Sequence, residues 1–440
     1  MRLLILFSVP LLIGNLFQQA YNMADSMIVG KLLGANSLAA VGSTGAVSFL
    51  FFSICNGLGS GGGILTAMCF GAGDGKMVKK ALVNSAYIMF IMSLLTGLAG
   101  YLAAPAVLHG MGTPDAVYPE ALTYMRMSCL SVPLVAVYNY ASSMQRSLGD
   151  SKTPLFFLIF SCFMNIVLDL LFVGGFGMGV FGAALATMLA QFAAGIGSLA
   201  YAVRYNSYFH ISKSYLAPDL AVAWRAVKLG MPLAMQWGLI AISSMALQTV
   251  ANSFGAVAMA AYTATSRLEQ LVMMPYSTLS TALSTYSGQN YGAGKTQRLR
   301  SGFRDSMLLM TAMAVVMTIG MQFFGRSLVG LFVNETDVVD LGEKAMRLTS
   351  WFYLFLGVIF VCRGVLNGIG DTLFSFVNGV VEAICRIFLP SFFIRILMKG
   401  VMSVWFTSGV TWLLSGLSCY LRYVWWRRKQ GKESNGVSFQ

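Results

Sequence analysis

Long apolar runs, separated by short segments rich in Gly, Pro and charged residues, extend along the whole chain of 440 residues. A membrane-spanning helix needs roughly 20 apolar residues, and the runs predict twelve such helices. Their predicted limits are 3–31, 38–69, 82–104, 117–147, 153–176, 180–205, 223–253, 257–288, 303–324, 345–369, 372–398 and 401–426. The pattern predicts an all-α polytopic membrane protein with short loops.

The composition excludes a soluble fold. Hydrophobic residues make up 57% of the chain and charged residues only 10%, whereas soluble globular domains carry about 25% charged residues. The short loops leave no room for a water-soluble catalytic domain. All seven cysteines lie in apolar runs without a CxxC or Cys/His spacing, so we expect them to pack in the interior rather than form disulfides or bind metal.

The placement of positive charge predicts the orientation. The chain has 29 Lys and Arg against 16 Asp and Glu, a formal charge of +13. No basic run is interleaved with aromatic residues, which argues against a nucleic-acid partner. Most cations fall in loops on the same side as both termini, and the positive-inside rule makes that side cytoplasmic. We expect an integral protein of a prokaryotic inner (plasma) membrane with both termini in the cytoplasm.

The N-terminus has some features of a signal peptide, because Met1-Arg2 precedes the apolar run 3–13. No small-x-small cleavage site follows that run. A similar Pro-bearing helix recurs around Pro232, so we interpret the segment as the first span.

An internal repeat divides the chain into halves. The run Phe70–Asp74 returns as Tyr291–Lys295, 221 residues later, and Gly149-Asp150 returns as Gly370-Asp371 at the same offset. Six spans is an even number, so both halves have one orientation and form parallel repeats, a transporter architecture with a central cleft. The predicted parts are an N-lobe 1–205, a cytoplasmic linker 206–222, a C-lobe 223–428 and a cytoplasmic tail 429–440.

These features together resemble the multidrug and toxic compound extrusion (MATE) family over essentially the whole chain. The resemblance rests on the paired six-helix halves, the Gly-Ala-Gly loops, the stretch Val29–Gly42, and a long first helix that carries Pro10, Gln18, Tyr21 and Asp25. It implies an antiporter that exports organic, often cationic and amphipathic, drugs or metabolites in exchange for protons or sodium ions. It also implies two lobes around a V-shaped central cleft.

Two departures from that family refine the comparison. The chain begins almost at its first helix, where relatives carry a short lead, which leaves open an upstream segment. The seventh helix, Pro232 to Val250, has no acid where one branch of the family has a cation-binding Glu. The chain therefore resembles the bacterial and archaeal branch with an acid site in the N-lobe.

Four acids lie well inside predicted spans: Asp25, Asp169, Glu269 and Glu382. A charge at the bilayer centre costs about 2.5–3.5 kcal/mol on insertion scales, so each is a candidate for function. The alternative for each is a structural ion pair or a position near the headgroups.

A depth count groups two of these acids with a threonine. Asp25 and Asp169 lie eight and seven residues before the outer ends of their helices, and Thr187 lies seven after its own. At 1.5 Å per residue all three are about 10–12 Å below the outer surface. Asn165 precedes Asp169 by four residues on the same helix face.

The resemblance assigns the same four residues, Asp25, Asn165, Asp169 and Thr187, to a cation-coupling site. A buried pair of carboxyl groups is suited to exchanging protons near neutral pH. Two carboxylates with Asn and Thr oxygens equally suit sodium at Asp25 and Asp169, so the sequence leaves the choice of ion open. We expect no cofactor and no other metal.

Glu269 and Glu382 each have a cation close in sequence. Arg386 lies four residues after Glu382 on the same face, and Arg267 lies two residues before Glu269. We predict that these four residues form a charge network that holds the C-lobe together. The alternative is a role in binding protons or substrate.

The cleft would be lined with aromatic and Met side chains, which suit cationic drugs. From the resemblance we single out Gln18, Tyr21, Tyr138 and Asn139 as substrate contacts. The run Gly59–Gly63 superficially resembles a phosphate loop, but it lies inside a span and lacks the Lys-Ser/Thr ending, so close helix packing is the better interpretation.

Three classes of function are open to a polytopic membrane protein of this kind. A secondary multidrug antiporter, acting as a monomer on small molecules among membrane lipids, fits the acids and the repeat. A flippase for lipid-linked precursors would favour a cation-rich cleft. An intramembrane enzyme would need a nucleophile with a base, or a metal triad, and the sequence contains neither, so we predict no enzymatic activity.

Overall fold

The computed structural model describes residues 2–396 and 400–436. In that part of the chain there are thirteen α-helices and no strand. The helices are α1 Arg2–Leu33, α2 Ala35–Gly71, α3 Gly75–Gly110, α4 Tyr118–Ser147, α5 Lys152–Asp169, α6 Gly179–Tyr205, α7 Leu220–Asn252, α8 Ala256–Gly292, α9 Thr296–Gly330, α10 Thr336–Ser350, α11 Tyr353–Gly368, α12 Thr372–Ile396 and α13 Ser403–Gly436. The ends of the predicted eleventh helix and of the predicted tail lie outside the described residues.

Most predicted spans match a helix, but several helices extend further than the apolar pattern does. The third and ninth predicted spans begin at residues 82 and 303, whereas α3 begins at Gly75 and α9 at Thr296. The added turns carry Lys and Arg, which are tolerated where a helix emerges among the headgroups. The length of an apolar run therefore reflects the thickness of the hydrocarbon core rather than the full length of the helix.

The tenth predicted span, 345–369, is not one straight helix. It consists of α10 and α11, which are bent by 53° at Trp351 and Phe352. No Pro or Gly stands at the bend. A Cβ on Gly409 of α13 would lie 2.4 Å from the Phe352 ring, so tertiary packing against a glycine fixes this break. Among the described residues, nine helices are long and apolar enough to cross a membrane, and this bent pair is a tenth.

The chain divides into two compact units. The N-unit is Ile5–Trp237 with Gly292–Gly294, and the C-unit is Gly238–Tyr291 and Lys295–Gln440 with the first four residues. This division falls inside α7 and not in the 206–222 segment, where the repeat places the lobe boundary. The predicted lobe limits stay a prediction.

Close backbone approach at glycines shapes the N-unit. Hypothetical Cβ atoms on Gly61 and Gly62 would lie 2.3 Å from the Gly230 nitrogen and 2.5 Å from the Ser85 hydroxyl. Only glycine fits such contacts without displacing the neighbouring helix. The run Gly59–Gly63 is thus a helix-packing surface of α2, as the sequence predicted, rather than a phosphate loop.

The repeat is visible in the backbone at one turn of each unit. Gly149 and Gly370 have φ of 96° and 88°, the left-handed region in which glycine is favoured. The next residue donates its N–H five residues back in both units, from Asp150 to Gln145 O at 2.9 Å and from Asp371 to Leu366 O at 2.8 Å. The offset of 221 residues therefore relates equivalent positions in space as well as in sequence.

Candidate functional site

Helices α1, α5 and α6 bring the four predicted coupling residues together in the N-unit. Asn165 and Asp169 are 1% and 0% exposed. The Asn165 amide lies between two partners: its nitrogen donates to Asp169 Oδ2 at 3.1 Å, and its oxygen accepts from the Thr187 hydroxyl at 3.2 Å. The depth count and the four-residue spacing thus placed these side chains correctly beside one another.

Asp25 and Asp169 form the acidic centre of this cluster. Their carboxyl groups lie within hydrogen-bonding reach of each other. In the described part of the chain one oxygen of each, Oδ1, has no hydrogen-bond partner, and neither acid has an ion pair. Two adjacent carboxylates repel unless a proton or a cation lies between them. The arrangement therefore has the chemistry of a site that takes up one small positive charge.

The helix changes its winding directly after Asp169. α5 ends there and continues as a π-helix, Leu170–Gly175, in which Phe176 N donates to Leu171 O at 2.8 Å. Such wide turns are rare and frequently lie at functional sites. The predicted span 153–176 did not show this feature, because a change of winding leaves the apolar pattern intact.

Three further polar side chains surround the acids. Tyr21, a predicted substrate contact, lies within hydrogen-bonding reach of Thr187 and Gln191. Tyr124 of α4 lies close to Asp25 and Asp169, and its hydroxyl reaches Ser128. The sequence analysis missed Tyr124 and Gln191. Gln191 follows Thr187 by four residues on one helix face, a spacing that would have indicated it, whereas nothing in the sequence indicated Tyr124.

The other predicted substrate contacts are Tyr138, Gln18 and Asn139. Tyr138 donates its hydroxyl to the Pro154 carbonyl at 3.1 Å, which ties α4 to the start of α5. That bond occupies the hydroxyl as a helix tether. Gln18 is exposed and Asn139 is half-buried. Their contact with substrate stays a prediction.

The C-unit contains a buried charge network centred on Glu382. Its carboxylate pairs with Arg386 at 3.5 Å, the predicted four-residue pair, and with Arg363, which was not predicted. All three side chains are at least nine-tenths buried. The Ser415 hydroxyl also donates to Glu382 at 3.1 Å. Arg363 lies five residues before the end of α11, a position where the sequence pattern does not indicate that its side chain points inward.

Polar neighbours complete that network. Arg363 Nε donates to Asn378 Oδ1 at 2.9 Å, and Asn378 donates to the Ser418 hydroxyl at 2.7 Å. Arg386 donates to the Ser243 hydroxyl at 3.1 Å. Arg363 of α11 thus has its partners on α12, and Arg386 has partners on α12 and α7, so both buried charges are paired.

Glu269 and Arg267 behave differently from the prediction. Glu269 lies near Arg386 and within reach of the Thr349 hydroxyl, so it joins the network from α8. Arg267 is exposed, and no ion pair joins it to Glu269 in the residues the structure describes. Residues two apart on a helix point in different directions, which separates the two side chains. The proposed pairing of Arg267 with Glu269 is wrong.

No group of three or more His, Cys, Asp or Glu side chains suited to a metal ion occurs in the described residues. The two N-unit carboxyls with Asn165 and Thr187 are oxygen donors, the ligand type that hard cations prefer. The same oxygen atoms can bind either a sodium ion or a proton.

Comparison with known proteins decides the family. The MatE family model matches residues 10–171 and 232–390. The chain belongs to the MatE family. It is 31% identical to "Probable multidrug resistance protein YpnP" of Bacillus subtilis, with 98% of this chain and 96% of that protein covered. It is also 23% identical to the "FAD transporter" of Shewanella oneidensis, with 95% and 93% covered.

Solved structures agree on the fold. The chain resembles a mutant of the Vibrio cholerae MATE transporter VcmN with a TM-score of 0.91 at 22% identity, covering 97% of each chain. It resembles a structure of MATE in the bent conformation with a TM-score of 0.89 at 23% identity, covering 100% of this chain and 97% of the other. The MatE chain is an all-α polytopic membrane transporter and not an enzyme, as its sequence predicted.

Proposed function

We propose that this chain is a secondary antiporter that exports organic, cationic amphipathic drugs or metabolites in exchange for protons or sodium ions. The Asp25–Asp169 pair is the observation that carries the proposal. It lies in the N-unit with no ion pair in the described residues, and a coupling ion needs such a site. The name of the relative YpnP, "Probable multidrug resistance protein", supports the drug cargo.

The coupling step follows from the geometry of the four-residue cluster. A proton or sodium ion entering between Asp25 and Asp169 halves the negative charge of the pair and relieves the repulsion, and the Asn165 amide and Thr187 hydroxyl orient its oxygens. Release of that ion restores the repulsion between the carboxylates. Helices α1 and α5 carry the two acids, so ion binding changes the energy of their packing. A cargo that binds one state more tightly is thereby coupled to the ion.

We also propose where cargo contacts the N-unit. Gln18 and Tyr21 lie on α1, the helix of Asp25, and Asn139 lies on α4, the helix of Tyr124. Tyr21 lies beside the coupling cluster, and such polar and aromatic groups offer a cation both hydrogen-bond acceptors and π faces. Tyr138 contributes its ring, since its hydroxyl is bound to Pro154.

Dye efflux from vesicles tests the function. Purified chain is reconstituted, and export of a cationic dye is followed under an imposed pH gradient and then an imposed sodium gradient. We expect one gradient to drive dye uphill and Asp25→Asn and Asp169→Asn each to abolish this while membrane insertion is kept. Asp74→Asn is the matched control, because Asp74 is exposed and an Asn still caps α3.

Several outcomes would contradict the proposal. Uphill export by either mutant with the ion dependence of the unmodified chain would move the coupling site elsewhere, with Glu269 the next candidate. Transport of a lipid-linked pyrophosphate but not of dye would favour the flippase. Transport of an anionic dinucleotide instead of dye would favour a cargo like the one named for the relative called "FAD transporter".

We propose that both termini face the cytoplasm of a prokaryotic cell and that a single chain is the functional unit. Cysteines introduced after Pro114 and Val333 should react with an impermeant thiol reagent from outside. Cysteines near Lys76, Lys213 and Lys295 should react only after the membrane is opened. Labelling in the opposite sense would overturn the orientation and leave the coupling proposal standing.

A further inference from the structure

A groove of about 410 Å³ opens at the end of the N-unit away from Asp169. α5 begins at Lys152, beside the groove, and reaches Asp169 after 17 further residues, which is about 25 Å. The groove is therefore separate from the coupling site. We call it the tyrosine groove and define it by six lining residues: Phe70, Gln145, Asp150, Tyr201, Tyr205 and Tyr208.

Aromatic rings form most of its wall. The rings of Tyr201 and Tyr205 lie 4.6 Å apart, and those of Phe70 and Tyr208 lie 5.5 Å apart at 77°. Tyr201 and Tyr205 are 45% and 71% exposed, so a ligand can reach the part of each ring that does not face the other. Aromatic faces attract cations within about 6 Å through the ring quadrupole.

One unsatisfied acceptor and one carboxylate without an ion pair in the described residues lie among these rings. Gln145 is 1% exposed, and its amide nitrogen donates to Ser198, but its oxygen has no partner in the described part of the chain. Asp150 Oδ1 accepts from the Lys152 and Thr153 N–H groups at 3.0 Å each, as a helix cap. No Lys or Arg in the described residues forms an ion pair with Asp150. A buried acceptor without a partner is costly, so a donor or cation at this place would be favoured.

The equivalent place in the C-unit already contains a cation. At the repeat offset of 221, Asp150 corresponds to Asp371 and Tyr201 corresponds to Arg422. Arg422 Nε donates to Asp371 Oδ2 at 2.7 Å. Its guanidinium lies 4.3 Å from the Trp425 ring centroid and 5.6 Å from that of Phe374. In the C-unit, a carboxylate and aromatic rings thus surround a guanidinium group of the chain itself.

We propose that the tyrosine groove binds an organic cation, with a quaternary ammonium or guanidinium head, in the position that Arg422 fills in the other unit. The rings of Tyr201 and Tyr205 contact the cation face, and Asp150 supplies the opposite charge. Such a cation comes either from a free solute or from a lipid headgroup at the membrane surface. The site is distinct from the transport proposal, which can fail without affecting it.

A thiol at the rim reports occupancy locally. Ser207 is exposed and lines the groove, so in Ser207→Cys the rate of alkylation by N-ethylmaleimide, followed by mass spectrometry at that position, measures access. With the full chain in detergent, we expect millimolar tetramethylammonium to slow alkylation several-fold, and an equal concentration of sodium chloride to leave it unchanged. Cargo bound at the coupling cluster does not affect this readout.

Variants test the assignment of roles. Tyr201→Arg introduces the arginine that the C-unit has at the equivalent position, and its guanidinium should occupy the groove. In the Ser207→Cys background, alkylation should therefore be slow without tetramethylammonium and unchanged when it is added. Tyr420→Arg is the matched control, since Tyr420 is 44% exposed on a helix of the other unit, and it should leave protection intact. Asp150→Asn should weaken protection while keeping the helix cap.

Vesicles separate the two sources of the cation. Protection in phosphatidylcholine vesicles without added solute, and its absence in phosphatidylglycerol vesicles, would identify a lipid headgroup. Protection only by added tetramethylammonium would identify a free solute. The proposal is overturned if tetramethylammonium protects nowhere, if it protects Tyr201→Arg as well as the parent, or if Tyr420→Arg loses protection equally.

Discussion

The two units each place two acids inside the membrane-spanning region, but in opposite electrostatic surroundings. In the N-unit, Asp25 and Asp169 lie beside each other with neutral amide, hydroxyl and phenol neighbours. In the C-unit, Glu269 and Glu382 lie with Arg363 and Arg386, so two negative charges meet two positive ones. A balanced cluster holds its charges permanently, whereas an unbalanced one must exchange a charge with its surroundings. From this comparison we propose a structural role for the C-unit acids and ion exchange for the N-unit acids.

The largest expected effect comes from breaking the balanced cluster. Glu382→Gln leaves Arg363 and Arg386 buried without their carboxylate, and breaking a buried pair from one side costs about 3–5 kcal/mol. We expect a strong loss of folded, monodisperse chain in size-exclusion chromatography. Glu382→Gln combined with Arg363→Gln should recover more yield than the combination with Arg386→Gln, because Arg363 makes the closer contact.

One result would contradict a purely structural role for the C-unit acids. If Glu382→Gln folds like the parent chain and loses only transport, Glu382 belongs to the transport machinery and the C-unit acids are not merely structural.

A much smaller effect on stability is expected in the N-unit. Asp169→Asn removes a negative charge without stranding a cation, and the amide preserves the shape. The midpoint of thermal unfolding in detergent should therefore stay close to that of the parent or rise, while gradient-driven efflux is lost. A fall in the midpoint as large as that of Glu382→Gln would make the N-unit cluster a structural knot as well.

Arg267→Gln sharpens the comparison by removing a cation that lies outside the network. Arg267 is exposed, and surface substitutions usually stay within about 0.5 kcal/mol. We expect an unchanged unfolding midpoint, in contrast to Arg363→Gln, which leaves Glu382 with a single, longer ion pair. A destabilisation by Arg267→Gln matching that of Arg363→Gln would restore the predicted pairing with Glu269.

The smallest effect is expected at a surface ion pair, because solvent water weakens the attraction between its two charges. Lys80 Nζ lies 2.9 Å from Asp219 Oδ2 at the end of the linker, and its hydrogen bond lowers the pKa of Asp219. Because the folded pKa lies below the unfolded one, this contribution is present at neutral pH and is lost as the pH falls through the acidic range. Limited proteolysis of the linker should speed up modestly on acidification, and Asp219→Asn should be fast already at neutral pH. Equal proteolysis rates for the parent chain and Asp219→Asn at neutral pH would show that the Lys80–Asp219 pair does not stabilise the linker.

Much of the candidate site could be predicted because helical geometry is regular. Counting residues from the helix ends placed Asp25, Asp169 and Thr187 at one depth, since each residue advances a helix by about 1.5 Å. The spacing of four put Asn165 beneath Asp169 and Arg386 beside Glu382. Contacts between distant helices, such as Tyr124 with the acids or Arg363 with Glu382, depend on how each helix is rotated about its axis, and no local pattern encodes that rotation.

The sequence by itself determined the class of protein, the positions of most long helical segments and the repeat. These follow from local physics, because a bilayer demands apolar runs of fixed length and a duplicated sequence folds twice in the same way. Only the tertiary structure decided the bend between α10 and α11, the π-helix after Asp169 and the exclusion of Arg267 from the charge network. The bend depends on the packing of Phe352 against Gly409 of α13, a residue far away in sequence. The π-helix and the direction of Arg267 depend on the exact winding and rotation of a helix, which an apolar pattern does not record.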